Sequence, residues 1–228
     1  DTDRSRGLGD VYKRQLKKSV VIANEHNELK TKFIRNISSQ MEPTLNTLGT
    51  SAKELSAQAP RYAEQMQAQV AALKQFSDNI QELSSLENSL TEPYEMGEVN
   101  AGTFCESVME KAKEFIKPDV TPSVNAPKLQ VKTNKEQLER ILLYLLKNAA
   151  FYTEQGRISL DFKKRGAHTH QFIITDTGTG IPAEQQENLF KPFTQVKDLT
   201  TGDGLGLPIC SLIATKMNGS LTLDTSYT

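Results

Sequence analysis

The chain has 228 residues and a formal net charge of −1, from 27 Lys and Arg against 28 Asp and Glu. That length holds one large domain or two modest ones, and the near-neutral balance removes any general electrostatic reason to expect nucleic acid or an anionic membrane as partner. Its two cysteines, Cys105 and Cys210, fit neither a disulfide framework nor a zinc site, and no apolar run approaches the roughly 20 residues needed to cross a membrane.

A reducing, cytoplasmic setting is therefore the expectation, with anchoring through a longer parent chain left open. Residues 1–15 are rich in Arg, Gly and Asp without periodicity, and are set apart as a non-native leader. From Leu16 to Leu55, apolar or small residues recur in steps of three and four through Val20 and Ala23, then, after a gap bridged in register by Asn27 and Lys30, through Ile34, Ile37, Met41, Leu45, Leu48 and Ala52. This predicts a helix with one buried seam, and Pro43 predicts a kink or local unwinding within it. A second seam runs through Tyr62, Met66, Val70, Leu73, Phe76 or Ser77, Ile80, Leu83, Leu86 or Glu87, and Leu90. Pro60 is placed to begin that helix. Two narrow stripes joined by a short turn make an antiparallel hairpin, spanning 16–93. One hairpin cannot bury both stripes, so pairing of two copies into a four-helix bundle is expected, the alternative being a lone hairpin packed on the following domain.

Residues 94–228 change to a mixed α and β pattern. Asn100 is a candidate cap for a helix carrying Phe104, Val108, Ala112 and Phe115, and a polar stretch from Lys117 to Pro127 leads to a short strand at Leu129–Val131. Asn134 and Gln137 form a capping pair for the next helix, whose face carries Leu138, Ile141, Leu142, Leu145, Leu146 and Ala149. At about 100° per residue, Asn148 falls at the border of that face, where it looks along the edge of the core. Ile158, Leu160 and Phe162 alternate in a strand, a basic turn at 163–169 follows, and a second strand runs from Gln171 into Asp176. His168 and His170 read as hairpin residues, since no carboxylate or cysteine pattern accompanies them. A short helix after Pro182 ends near Leu189–Phe190. Pro208 is placed at the first position of a last helix, which ends at Asn218–Gly219, and Leu221–Leu223 begins a further strand.

The stretch Asp176-Thr177-Gly178-Thr179-Gly180-Ile181-Pro182 puts a carboxylate at a strand end and glycines where backbone must approach a ligand closely. An aspartate can accept a hydrogen bond from an adenine amino group, and the Asn148 amide oxygen is a hard ligand for magnesium. Backbone N–H groups of Gly204, Leu205, Gly206 and Leu207, entering a helix, suit phosphates. The spacing of Gly202, Gly204 and Gly206 fits neither the P-loop nor the dinucleotide fingerprint.

In this order the motifs resemble the catalytic ATP-binding domain of sensor histidine kinases over residues 134–224. Leu145-Leu146-Lys147-Asn148-Ala149 corresponds to the N box, Asp176 to Gly180 to G1, Phe190-Lys191-Pro192-Phe193 to the F box and Gly202 to Leu207 to G2. The resemblance implies an α+β protein: a helical hairpin, then a two-layer α/β sandwich with a mixed sheet. By the same resemblance Asn148 would coordinate Mg2+, Asp176 would bind the adenine of ATP and Tyr152 would line the base pocket. Gly204 to Leu207 would hold phosphates, and Thr194 to Thr201 would form a lid in which Lys197 reaches them. Hydrolytic members of the superfamily carry a glutamate one turn before the asparagine, where this chain has Tyr144, a poor base near neutral pH.

Residues 33–46 resemble the phosphoacceptor box of the same kinases, with Ser39-Gln40 where the family has histidine and an acidic residue, and Pro43-Thr44 in reversed order. Ser39 falls on the outer face of its helix, but a serine hydroxyl needs a strong adjacent base that Gln40 does not supply. Phe151 stands where the family often has a basic residue. Three readings follow. One is a dimeric two-component kinase core that binds Mg-ATP and signals to a response-regulator receiver domain. The others are a degenerate kinase regulating a partner without phosphotransfer, and a serine kinase of the same fold. The strand closing the family's sheet is expected to be missing after Leu223.

Overall fold

A computed structural model describes residues 34–35, 38–39, 41–54, 59–166, 169–192 and 204–226. The chain divides into two units, Asp1–Ser89 and Leu90–Thr228.

In the first unit, residues 41–54 form helix α1 and Pro60–Asn88 form α2. Pro60 takes the first helical position, where its missing N–H costs nothing. Lys74 Nζ donates to Asn46 Oδ1, and a Cβ on Gly49 would touch Val70 at 3.6 Å, so the two helices run antiparallel. Leu45, Ala52, Ala63, Leu83 and Leu86 are buried in this unit, while Met66, Val70, Leu73 and Ile80 are half-buried. Two expectations change. Tyr62 is 72% exposed and Ala63 takes its place, because the buried stripe runs through Ala63, Val70 and Ser77, one residue round the helix from Tyr62. Residues 41–54 are helical without a break, so the unwinding expected at Pro43 does not occur there; the Thr47 hydroxyl donates to Pro43 O at 3.0 Å.

In the second unit, β1 (Gly97–Asn100) pairs antiparallel with β3 (Gln130–Thr133). A separate sheet has the order β2-β4-β5, with β2 (Val120–Asn125) parallel to β4 (Gly156–Lys164), and β4 antiparallel to β5 (His170–Asp176). This mixed sheet packs under α3 (Ala101–Ala112) and α4 (Lys135–Tyr152). Ile158, Leu160 and Phe162 face the helices from β4, against Phe104, Val108, Leu142 and Leu146 among others. Both predicted caps form: Asn100 Oδ1 accepts from Thr103 N–H at 3.1 Å and Asn134 Oδ1 from Gln137 N–H at 2.9 Å.

β2 was not expected, because its polar, Pro-containing sequence reads as a loop; Pro122 is tolerated since β2 is an outer strand of the three. Phe115 lies beyond the end of α3, and β3 begins one residue later than predicted, at Gln130, although Leu129 O still accepts the Ala101 N–H at 2.8 Å. The helix after Pro182 is the single turn α5 (Ala183–Gln186), followed by turn residues that bury Leu189. Leu221–Leu223 is not a strand: among the described residues no neighbouring strand pairs with it. No helix among the described residues is long and apolar enough to cross a membrane.

Candidate functional site

Helix α4 is the back wall of the site. Its core face buries Leu138, Ile141, Leu142, Leu146 and Ala149, which leaves Asn148 half-buried at the border and Lys147 exposed. Leu145, expected within that face, is half-buried. The helix ends in an exposed aromatic pair, Phe151 and Tyr152, with rings edge-to-face at 4.9 Å.

The Asp176 turn is tied to that helix end. Asp176 pairs across the sheet with the fully buried Ile158, so its carboxylate lies on the inner, helix-facing side of β5. Oδ1 accepts the Gly178 N–H at 2.9 Å, and Oδ2 has no protein partner among the described residues. Tyr152 O accepts the Thr179 N–H at 3.2 Å. A Cβ on Gly178 would stand 2.5 Å from Tyr152 O and 2.8 Å from Asp176 Oδ1, which explains why glycine is needed. Gly180 adopts a left-handed φ of 70°, leading to Ile181 on the rim.

Thr177 also matters, though the motif alone did not point to it. Its N–H donates to Arg157 O at 3.2 Å, and its hydroxyl oxygen accepts the Arg157 N–H at 3.0 Å, which clamps the turn to the start of β4. Gly156, at φ 114°, makes room for that hydroxyl.

The third wall is the start of α6 (Gly206–Lys216). Gly204 has a φ of 68°, Leu205 caps the helix and is fully buried, and Ile209 N–H donates to Leu205 O at 2.9 Å. Pro208 is therefore the third helical residue and not the first; it still falls in the turn whose N–H groups have no helical acceptor. The N–H groups offered at this terminus are those of Gly206 and Leu207. α4 packs against both β5 and α6: Gly178 lies beside Tyr152 at the end of α4, and Gly206 beside Tyr144 two turns earlier, with Asn148 between them on the helix. Phe193, the segment Thr194 to Thr201 with Lys197, and Gly202 lie outside the described residues.

Ser39 belongs to the other unit. It is exposed on its helix while Ser38 beside it is buried. A cavity of about 390 Å³ in that hairpin is lined by Arg35, Asp78, Glu82 and Ser84. Another of about 410 Å³ lies between β1 and the start of α4, lined by Glu98, Thr133 and Asn134, away from Asp176.

Residues 133–228 match the family described as histidine kinase-, DNA gyrase B- and HSP90-like ATPase. Those residues belong to that ATPase family. Over a longer stretch, the chain is 25% identical across 208 residues to the aerobic respiration control sensor protein ArcB of Escherichia coli, covering 85% of this chain and 27% of ArcB. It is 34% identical across 114 residues to the sensor histidine kinase RcsC of the same organism, covering 48% of this chain and 11% of RcsC. The structure of full-length ShkA in complex with AMPPNP has the same fold, with a TM-score of 0.65 and 22% identity over 83% of this chain and 42% of that one. The chain is thus similar to sensor histidine kinases and spans about a quarter of the length of ArcB.

Proposed function

We propose that this chain binds Mg-ATP through its second unit and serves two-component phosphotransfer signalling from the cytoplasmic side. The observation that carries this reading is the Asp176 carboxylate. It is held on the inner face by the Gly178 N–H, with Oδ2 free to accept a base amino group, and a glycine beneath it keeps the backbone low. Tyr152 and Ile181 are exposed and offer apolar surface for the base. Gly178 and Gly180 serve close approach, and the turn from Gly204 to Leu207 serves phosphate binding through the N–H groups of Gly206 and Leu207. Gly202 and Lys197 are assigned to the same phosphates by resemblance.

Asn148 supplies one hard oxygen at the cleft edge, which suits Mg2+. Among the described residues no three His, Cys, Asp or Glu side chains converge on a metal site, so the ion would take its other ligands from phosphate oxygens and water. Bound magnesium would neutralise charge on the phosphates during transfer.

The half-buried stripe of Met66, Val70, Leu73 and Ile80 supports pairing of two hairpins, 16–93, into a four-helix bundle, with 94–228 as the kinase domain. A response-regulator receiver domain is the expected protein partner. Ser39 favours a second reading, in which the chain binds ATP and regulates a partner without accepting phosphate. Ser39 is exposed, yet a neutral serine is a weak nucleophile without a base.

Incubation with γ-labelled ATP, followed by acid and base treatment, tests these readings. Acid-labile label indicates phosphohistidine, and acid-stable label indicates serine. Intact ATP binding without label supports the regulatory reading, and absence of both binding and label defeats the proposal.

A further inference from the structure

Tyr144 has no part in the roles assigned so far, yet it joins two walls of the site. It stands one turn before Asn148 on α4, so the two side chains are neighbours along one side of the helix. Its half-buried ring lies against the backbone of Gly206, where a Cβ would overlap ring carbons and the hydroxyl oxygen alike. Gly206 is itself buried and opens α6. The helix cannot easily retreat from this contact, because Leu205, Ile209 and Ile213 on either side are anchored in the core. The first-turn N–H groups on offer are those of Gly206 and Leu207, since Pro208 has none. One ring-to-backbone contact therefore sets how far those donors stand from the Asn148 edge of α4.

We propose that Tyr144 is a positioning residue for the nucleotide: its ring, seated on the Gly206 backbone, holds the first turn of α6 at the spacing from Asn148 that a bound phosphate chain requires. This rests on the ATP reading above. The ring occupies the place a Cβ at 206 would take and so excludes any larger residue there.

A double-mutant cycle on the full chain tests it, titrating magnesium and a fluorescent ATP analogue while thermal unfolding is followed separately. Gly206→Ala should weaken binding by about tenfold or more in the unaltered background, and by less than about twofold in a Tyr144→Ala background where the space is open. Tyr144→Ala alone should lower affinity about three- to tenfold, and Tyr144→Phe, which keeps the ring, should recover it. Equal losses from Gly206→Ala in both backgrounds would overturn the proposal. So would Tyr144→Ala binding as tightly as the unaltered chain, including where only its melting temperature falls, which would mark a purely structural role. If Gly206→Ala does not fold, the contrast between Tyr144→Ala and Tyr144→Phe decides the matter. If the unaltered chain binds no nucleotide, the ATP reading itself fails and this one with it; binding with no coupling defeats only the role of Tyr144.

Discussion

At Asp176 three elements converge on one turn. α4 contributes the Tyr152 carbonyl, β4 contributes the Arg157 backbone, and the turn contributes its own carboxylate and threonine hydroxyl. At Ser39 the position is set by helical period: an exposed residue beside a buried one, on the outside of a hairpin. A turn gripped from several directions needs particular residues at many places, and Gly178, Gly156 and Thr177 are each explained by a close contact. A helix position tolerates substitution without disturbing the fold. The first region therefore holds its geometry through many residues, whereas the second can lose its chemistry through a single exchange.

The largest expected effect breaks the gripped turn. Gly178→Ala places a methyl group against Tyr152 O and Asp176 Oδ1, and should cost about 2–4 kcal/mol in chemical denaturation together with nucleotide binding. If it is neutral, the turn is less constrained than its contacts indicate. Next is Thr153, the residue after Tyr152, which is fully buried and whose hydroxyl has no partner among the described residues. Thr153→Val keeps the shape and removes the unpaired group, so stability should rise by about 1 kcal/mol. A loss instead would reveal an ordered water at that hydroxyl.

Burial, with a smaller contribution from Glu106, pushes the Cys105 thiol from 9.0 up to about 11. A thiol reagent at pH 8 should leave Cys105 unmodified until the unit unfolds. Because its folded pKa is raised, the folded state holds this proton more tightly, and stability should fall as pH rises from 9.0 towards about 11. Denaturant midpoints across that range check the sign, with Cys105→Ala removing this part of the slope. Smallest is Ser39→Ala, which should change stability by less than about 0.5 kcal/mol, since an exposed hydroxyl on a helix contributes little to packing. A clear loss would mean that Ser39 is held as firmly as the Asp176 turn.

Much of the ATP-binding unit was legible from periodicity and spacing. The α4 face, both asparagine caps, the β4 alternation and the border position of Asn148 all follow from patterns that local residues dictate. β2 was not legible, since Val120–Asn125 is polar, contains Pro122 and becomes a strand only because β4 supplies partners. Tyr62 was misplaced because a stripe of steps of three and four leaves a one-residue ambiguity, which the close approach of small Ala63 resolves. The contact between Tyr144 and Gly206 joins residues 62 apart in sequence, which no local pattern records.

The central claim is that the Asp176 turn recognises ATP. Titration calorimetry of the full chain with magnesium and a non-hydrolysable ATP analogue should show binding. Asp176→Asn should lose about tenfold or more in affinity with little change in melting temperature, because the amide replaces an acceptor with a donor. No binding to the unaltered chain, or equal binding to both, would contradict it.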